Sequence, residues 1–196
     1  MKSKILHELK EHSPFTLTAA LFGVAVMSLL LIRENLISYA VTFFYIFHPA
    51  HVFFSAIISS AIFYNYRRNV PLAIIFSILI SVIIGSISDV IFPYFGSLLF
   101  RIPISFHLPA VENPALISAC AFFGSLIGVM ARKTKFPHFL HVLISIFASL
   151  LYIFAYSTSF SILTIFLIFV ITSISVIIPC CLSDIVLPIL FGGRER

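Results

Sequence analysis

The sequence predicts an all-α integral membrane protein of six transmembrane helices. Three observations carry that expectation. Of 196 residues, 61% are hydrophobic and 10% charged, with a mean hydropathy of +1.16; a soluble domain carries about 45–50% apolar and about 25% charged residues. The charges gather between apolar runs long enough to cross about 30 Å of hydrocarbon. Those runs show no strand-like alternation, which sets a β-barrel aside. A net charge of +5 would suggest a polyanion partner in a soluble chain. Here the Lys and Arg side chains sit in loops, where they set orientation, and nucleic acid is excluded as a partner. Cys120, Cys180 and Cys181 all lie inside apolar runs and imply no disulfide framework.

Residues 1–13 are charged and amphipathic, unlike a secretory signal, so the apolar run 15–32 behind them reads as a retained first helix. Residues 36–47 are apolar but too short to cross alone; they read as an interfacial segment before Pro49, the alternative being a continuous first half of the next helix. Helices follow at about 50–66, 70–92, 114–131, 138–156 and 161–191. Pro93 and Pro188 are expected to break or kink helix ends. With a cytoplasmic N-terminus, Lys2, Lys4, Lys10, Arg67, Arg68, Arg132, Lys133, Lys135, Arg194 and Arg196 face inside, while Arg33 and Arg101 face outside. That bias puts both termini in the cytoplasm of a multi-pass plasma-membrane protein.

The chain also repeats itself. His48-x-x-His51-Val52-x-x-Ser55-x-x-x-Ser59 recurs as His138-x-x-His141-Val142-x-x-Ser145-x-x-x-Ser149. Ser88-Asp89-x-x-x-Pro93 recurs as Ser183-Asp184-x-x-x-Pro188, and His7-x4-His12-x-Pro14 as His107-x4-Glu112-x-Pro114. The order is the same in both halves, so residues 1–104 and 105–196 form two three-helix repeats. Three crossings per repeat bring the second copy in from the opposite side. The result is an inverted 3+3 repeat, an arrangement common in transporters.

Together, repeat and topology predict two polar groups, one per face. His48, His51, Asp89, His107 and Glu112 are expected outside; His138, His141, Asp184, His7 and His12 are expected inside. Spacing of i, i+3, i+7 and i+11 puts each His pair and its serines on one helix face. Ser55, Ser59, Ser88, Ser145, Ser149 and Ser183 would then line the seam between repeats, a role that also suits close helix packing. Asp89 and Asp184 each cost about 2.5–3.5 kcal/mol to place in a span, which makes a carboxylate there a functional residue by default. Imidazole with carboxylate suits a divalent transition metal: Zn, Mn, Fe, Co or Ni. Only the second half carries Cys180 and Cys181 before its Ser-Asp, an asymmetry that argues against Cys as an essential ligand for both sites. Gly23, Gly85, Gly96, Gly124 and Gly128 offer close-packing surfaces for a homodimer in the bilayer.

The stretch Ile178-Pro179-Cys180-Cys181-x-Ser183-Asp184, with the spread of His and Asp over the helices, resembles heavy-metal and manganese permeases. Those polytopic families carry His, Asp and a Pro-Cys element in their helices. The resemblance implies a membrane permease for a metal ion. The residues themselves predict a transporter or facilitator for a divalent transition-metal cation. The alternatives are an intramembrane metalloenzyme, a haem-binding electron carrier and a proton-coupled transporter of another small solute.

Overall fold

A computed structural model describes residues 39–131, 135–157 and 162–181, with Thr18, residues 21–23, 25 and 26, Leu187 and Phe191 (the backbone only for residues 135–139, 162, 177 and 181). These residues form helices, and no strand occurs among them beyond a single bridge between Ile104 and Ser157. Helix α1 spans Ala40–Tyr66 and α2 spans Val70–Ser86. A π-helical turn, Ile87–Ile91, joins α2 to α3, Phe92–Leu99. The short α4, Pro109–Glu112, precedes α5, Pro114–Ala131; α6 is Lys135–Tyr156 and α7 is Ile162–Cys181.

Four helices among the described residues are long and apolar enough to cross a membrane: α1, the continuous rod Val70–Leu99, α5, and Leu163–Cys180 within α7. The shorter apolar stretch Leu140–Tyr156 fills most of α6. The run 15–32 falls largely outside the described residues.

Two boundaries differ from those the sequence predicts, and proline is the reason in both. Residues 40–47 are the first turns of α1, not an interfacial segment, because the helix runs through Pro49. Proline removes one N–H from the ladder and crowds the carbonyl four residues back. Inside a helical bundle that carbonyl can find other partners, so the helix continues. The second case is Pro93, expected near the end of a helix over 70–92. The backbone widens into the π-turn just before it, with the Phe92 N–H reaching back to the Ile87 carbonyl. This eases the clash between the Pro93 ring and the Asp89 carbonyl, and the rod runs on to Leu99. It closes on Arg101, which has a φ of 58°; the Ile102 N–H bonds the Ser97 carbonyl and the Arg101 N–H bonds the Leu98 carbonyl, a left-handed helix stop.

Helix α1 is central, packed by α2, α5 and α6. The main apolar core lies between α1, α6 and α7, around Phe44, Ile146, Leu150, Tyr152, Ile153 and Ile168. Large apolar side chains such as Phe95, Met130, Leu163 and Phe166 point outward, as a lipid-facing surface requires. The five glycines offered above as dimer surfaces are taken up within the chain. A Cβ on Gly124 would overlap the Phe53 carbonyl oxygen, and one on Gly128 the Ile57 carbonyl oxygen and the Ser60 hydroxyl. Gly23 faces Ile146 and Leu150, Gly85 faces Val52, and Gly96 faces Ile171. The homodimer expectation loses the surfaces on which it rested.

Candidate metal centre

Helices α1 and α6, which carry the two His-x-x-His motifs, pack against each other. Phe44 packs on Tyr152 and Tyr156, Phe47 on Phe147, and His51 stacks on His141 at 4.5 Å between ring centroids. Residue numbers rise along α1 as they fall along α6, so the two helices are antiparallel. The second His of each repeat marks their crossing.

Beside that crossing the π-turn presents Asp89. Its Oδ2 takes the Nδ1 groups of both His48 and His51, at 2.8 and 2.7 Å. Its Oδ1 accepts from the hydroxyls of Ser88 at 2.8 Å and Ser145 at 3.0 Å. Ser149 donates to the Ser88 carbonyl at 3.0 Å. All of these side chains are fully buried. A carboxylate out of water is tolerated only when paired and hydrogen-bonded, and four donors meet that need here. Gly85 lets the rod come this close: a Cβ there would stand 2.9 Å from Val52 and 3.9 Å from both His48 and His51.

Cys180 of α7 also reaches this cluster, its thiol donating to the Ser145 hydroxyl at 3.8 Å. Two groups of buried residues bring potential ligand atoms within 4.8 Å of one another: His48, His51 and Asp89, and His51, His141 and Cys180. Either group could hold a metal ion. His51 belongs to both.

This placement corrects the grouping by face. His48, His51 and Asp89 do not cap helix ends; they lie well inside α1 and the rod. His141, expected on the opposite face, joins them in a single centre. His107 and Glu112 stand apart: they pair with each other at 3.1 Å, 42% and 36% exposed. Glu112 also accepts from the Tyr45 hydroxyl, and His107 stacks on Tyr156. Burial pushes the Glu112 carboxyl up, but the hydrogen bonds from Tyr45 and His107 outweigh it and hold the group below its ordinary value. Phe44 stands between the two groups, stacked on His48 and packed on Tyr45 and Tyr156. Ser55 and Ser59 are fully buried on α1. His7, His12, Ser183 and Asp184 lie outside the described residues, as does the His138 side chain.

Cys180 is the residue that sequence reasoning set aside. The signal available was its place in the Pro179-Cys180 element just ahead of Ser183-Asp184.

Comparison with protein-family models, with curated proteins and with solved structures finds no match to this chain.

Proposed function

We propose that this chain is a plasma-membrane transporter or facilitator for a divalent transition-metal cation, built as an inverted 3+3 repeat. The observation that carries the reading is the buried His/Asp centre where the repeat-equivalent His51 and His141 stack between antiparallel helices. A polar, ligand-bearing cluster at the repeat interface is where such transporters hold their cargo.

Other contacts support the two-fold relation. The register that carries His48 to His138 carries Ala56 and Ser60 to Ile146 and Leu150. Gly124 and Gly128 of α5 pack on Ala56 and Ser60 of α1, and Gly23, one residue off the register that carries Pro14 to Pro114, packs on Ile146 and Leu150 of α6. Likewise the register from Ser88 to Ser183 carries Gly96 to Phe191 and Phe76 to Ile171. Gly96 abuts Ile171, and Phe76 packs on Phe191 at 5.6 Å. Contacts that pair off in this way are what a two-fold axis between repeats requires.

In this reading the cation enters between the repeats, exchanges water for imidazole donors at the centre, and leaves by the other face as the halves rock. Phe44, between the exposed His107–Glu112 pair and His48, would close one approach. A haem carrier is disfavoured because the stacked His51 and His141 rings leave no room for a porphyrin between them. The metalloenzyme reading lacks a glutamate base in the cluster among the described residues. The same centre could serve proton-coupled movement of another solute, and flux measurements separate the two. Full-length protein in liposomes loaded with a metal-sensitive dye should admit at least one of Zn, Mn, Fe, Co or Ni. His51→Ala and Asp89→Asn should slow that flux about tenfold or more. Correctly inserted protein that passes none of the five ions would overturn the reading.

A further inference from the structure

Asp89 is too fully engaged to be the group that grips a cation. A carboxylate offers about four lone-pair directions, and here four donors use them: His48, His51, Ser88 and Ser145. Direct coordination would break this set. The Asp89 carboxylate is thus fully satisfied by its protein neighbours.

The consequence falls on the imidazoles. With Nδ1–H given to a carboxylate, the lone pair of a neutral ring sits on Nε2, the arrangement found around ligating histidines. The Nε2 atoms of His48 and His51 are buried without a nitrogen or oxygen partner among the described residues; the neighbour that His51 does have is the Cys180 thiol. An unpaired acceptor in a buried site costs about 1–3 kcal/mol, which a bound ion would recover. His51 extends toward His141 and Cys180, and the three come from three helices, α1, α6 and α7. Their donor atoms lie within 4.8 Å of one another. Donors around a tetrahedral zinc stand about 3.4–3.7 Å apart, given bond lengths of about 2.0–2.3 Å. An ion therefore needs the donors to close by about 1 Å and the stacked His51 and His141 rings to turn until their in-plane lone pairs converge on it.

We infer that the cation is held by His51, His141 and the thiolate of Cys180, with Asp89 positioning His51, and that the site takes thiophilic dications such as Zn²⁺, Co²⁺ and Cd²⁺ in preference to Mn²⁺. This refines the transport reading above and rests on it. Thiolate and imidazole select borderline and soft ions, whereas carboxylate and water suit Mn²⁺ and the alkaline earths. Three protein donors leave a fourth tetrahedral position open, which a cargo ion needs in order to exchange.

Cobalt supplies the test, because thiolate coordination gives Co²⁺ a sulfur-to-metal charge-transfer band in the near ultraviolet. Full-length protein in mild detergent, titrated with Co²⁺, should show that band with strong visible absorption from four-coordinate metal. Cys180→Ser should abolish the near-ultraviolet band, and Cys120→Ser should leave it unchanged. Asp89→Asn should keep the band while weakening Co²⁺ binding about 10–100-fold, as loss of a positioning partner does. Any nitrogen-rich site binds Zn²⁺ above Mn²⁺, so the informative quantity is the Zn²⁺-over-Mn²⁺ preference, which Cys180→Ser should shrink. The inference is overturned if the wild type shows no sulfur band, or if the band survives in Cys180→Ser. Should Cys180→Ser fail to fold, the wild-type spectrum decides alone. The two readings fail separately: a sulfur band without flux in liposomes removes transport, and flux without the band removes the thiolate site.

Discussion

At the scale of single residues, Asp89 is where folding and function meet. Removing it leaves His48 and His51 without the acceptor that fixes their tautomers, and Ser88 and Ser145 without theirs, all in a dry environment. Breaking one partner out of a buried charged network costs about 3–5 kcal/mol. Asp89→Ala should therefore lower the unfolding midpoint well beyond any single serine variant, while Asp89→Asn, which keeps one acceptor oxygen, should recover part of the loss. Thermal unfolding in one detergent compares them; equal midpoints for wild type and Asp89→Ala would show that the network contributes nothing. That His48, His51 and Asp89 come together was legible in the sequence, because polar residues at helical spacing inside apolar runs have few bland explanations. That His141 joins them in one centre was not. Grouping them by face assumed that motifs near a sequence boundary lie at a membrane surface, whereas the helices extend further through Pro49 and past Pro93. Cys180 was given little weight by a symmetry argument, yet its sulfur lies within 4.8 Å of ligand atoms of His51 and His141.

At the scale of elements, the tightest contact joins α1 and α5, and it is made by absence. Gly128 lies against the backbone carbonyl of Ile57, which cannot rotate away, so Gly128→Ala must push the helices apart. Overpacking of this kind costs about 1–3 kcal/mol. Gly85→Ala meets only a Val52 methyl, which can turn, and should cost less. Matched melts of the two variants test this; a milder Gly128→Ala would mean that α5 is free to shift. The connection ahead of α5 supplies a pH effect. The folded state holds the Glu112 carboxyl below its ordinary value of 4.5, so its contribution is present above that value and is lost as pH falls through the lower folded one. The effect is small because both His107 and Glu112 are more than a third exposed. The gap in unfolding midpoint between wild type and Glu112→Gln should close on going from about pH 6 to about pH 3; a gap that widens toward acid would reverse the sign. Four helices able to span a membrane were plain from hydropathy, and the errors at their ends cluster at prolines, where a local rule for soluble helices was applied inside a bundle.

For the whole molecule, the rod Val70–Leu99 constrains orientation without help from the N-terminal residues. At 30 residues it is about 45 Å long, more than the hydrocarbon thickness, so it crosses once and can tilt to fit. Arg67 and Arg68, just before it, must therefore lie on the opposite side from Arg101, just after it. Helix α5 then returns the chain, and Arg132, Lys133 and Lys135 follow it in sequence on the side of Arg67 and Arg68. Five basic residues stand against one across these two expected crossings, and by that bias the five are expected in the cytoplasm. The inverted repeat needs the same result, because α1 and α6 can be equivalent and antiparallel only if the halves enter from opposite faces. Single cysteines introduced at positions 68, 101 and 133, on a background lacking Cys120, Cys180 and Cys181, can be probed in intact cells with an impermeant maleimide. Position 101 should react from outside, and positions 68 and 133 only after permeabilisation. Labelling of 68 and 133 from outside with 101 protected would reverse the orientation but keep the repeat. If 68 and 101 share a side, the rod does not span the membrane, and both the inverted repeat and the transport reading fall with it.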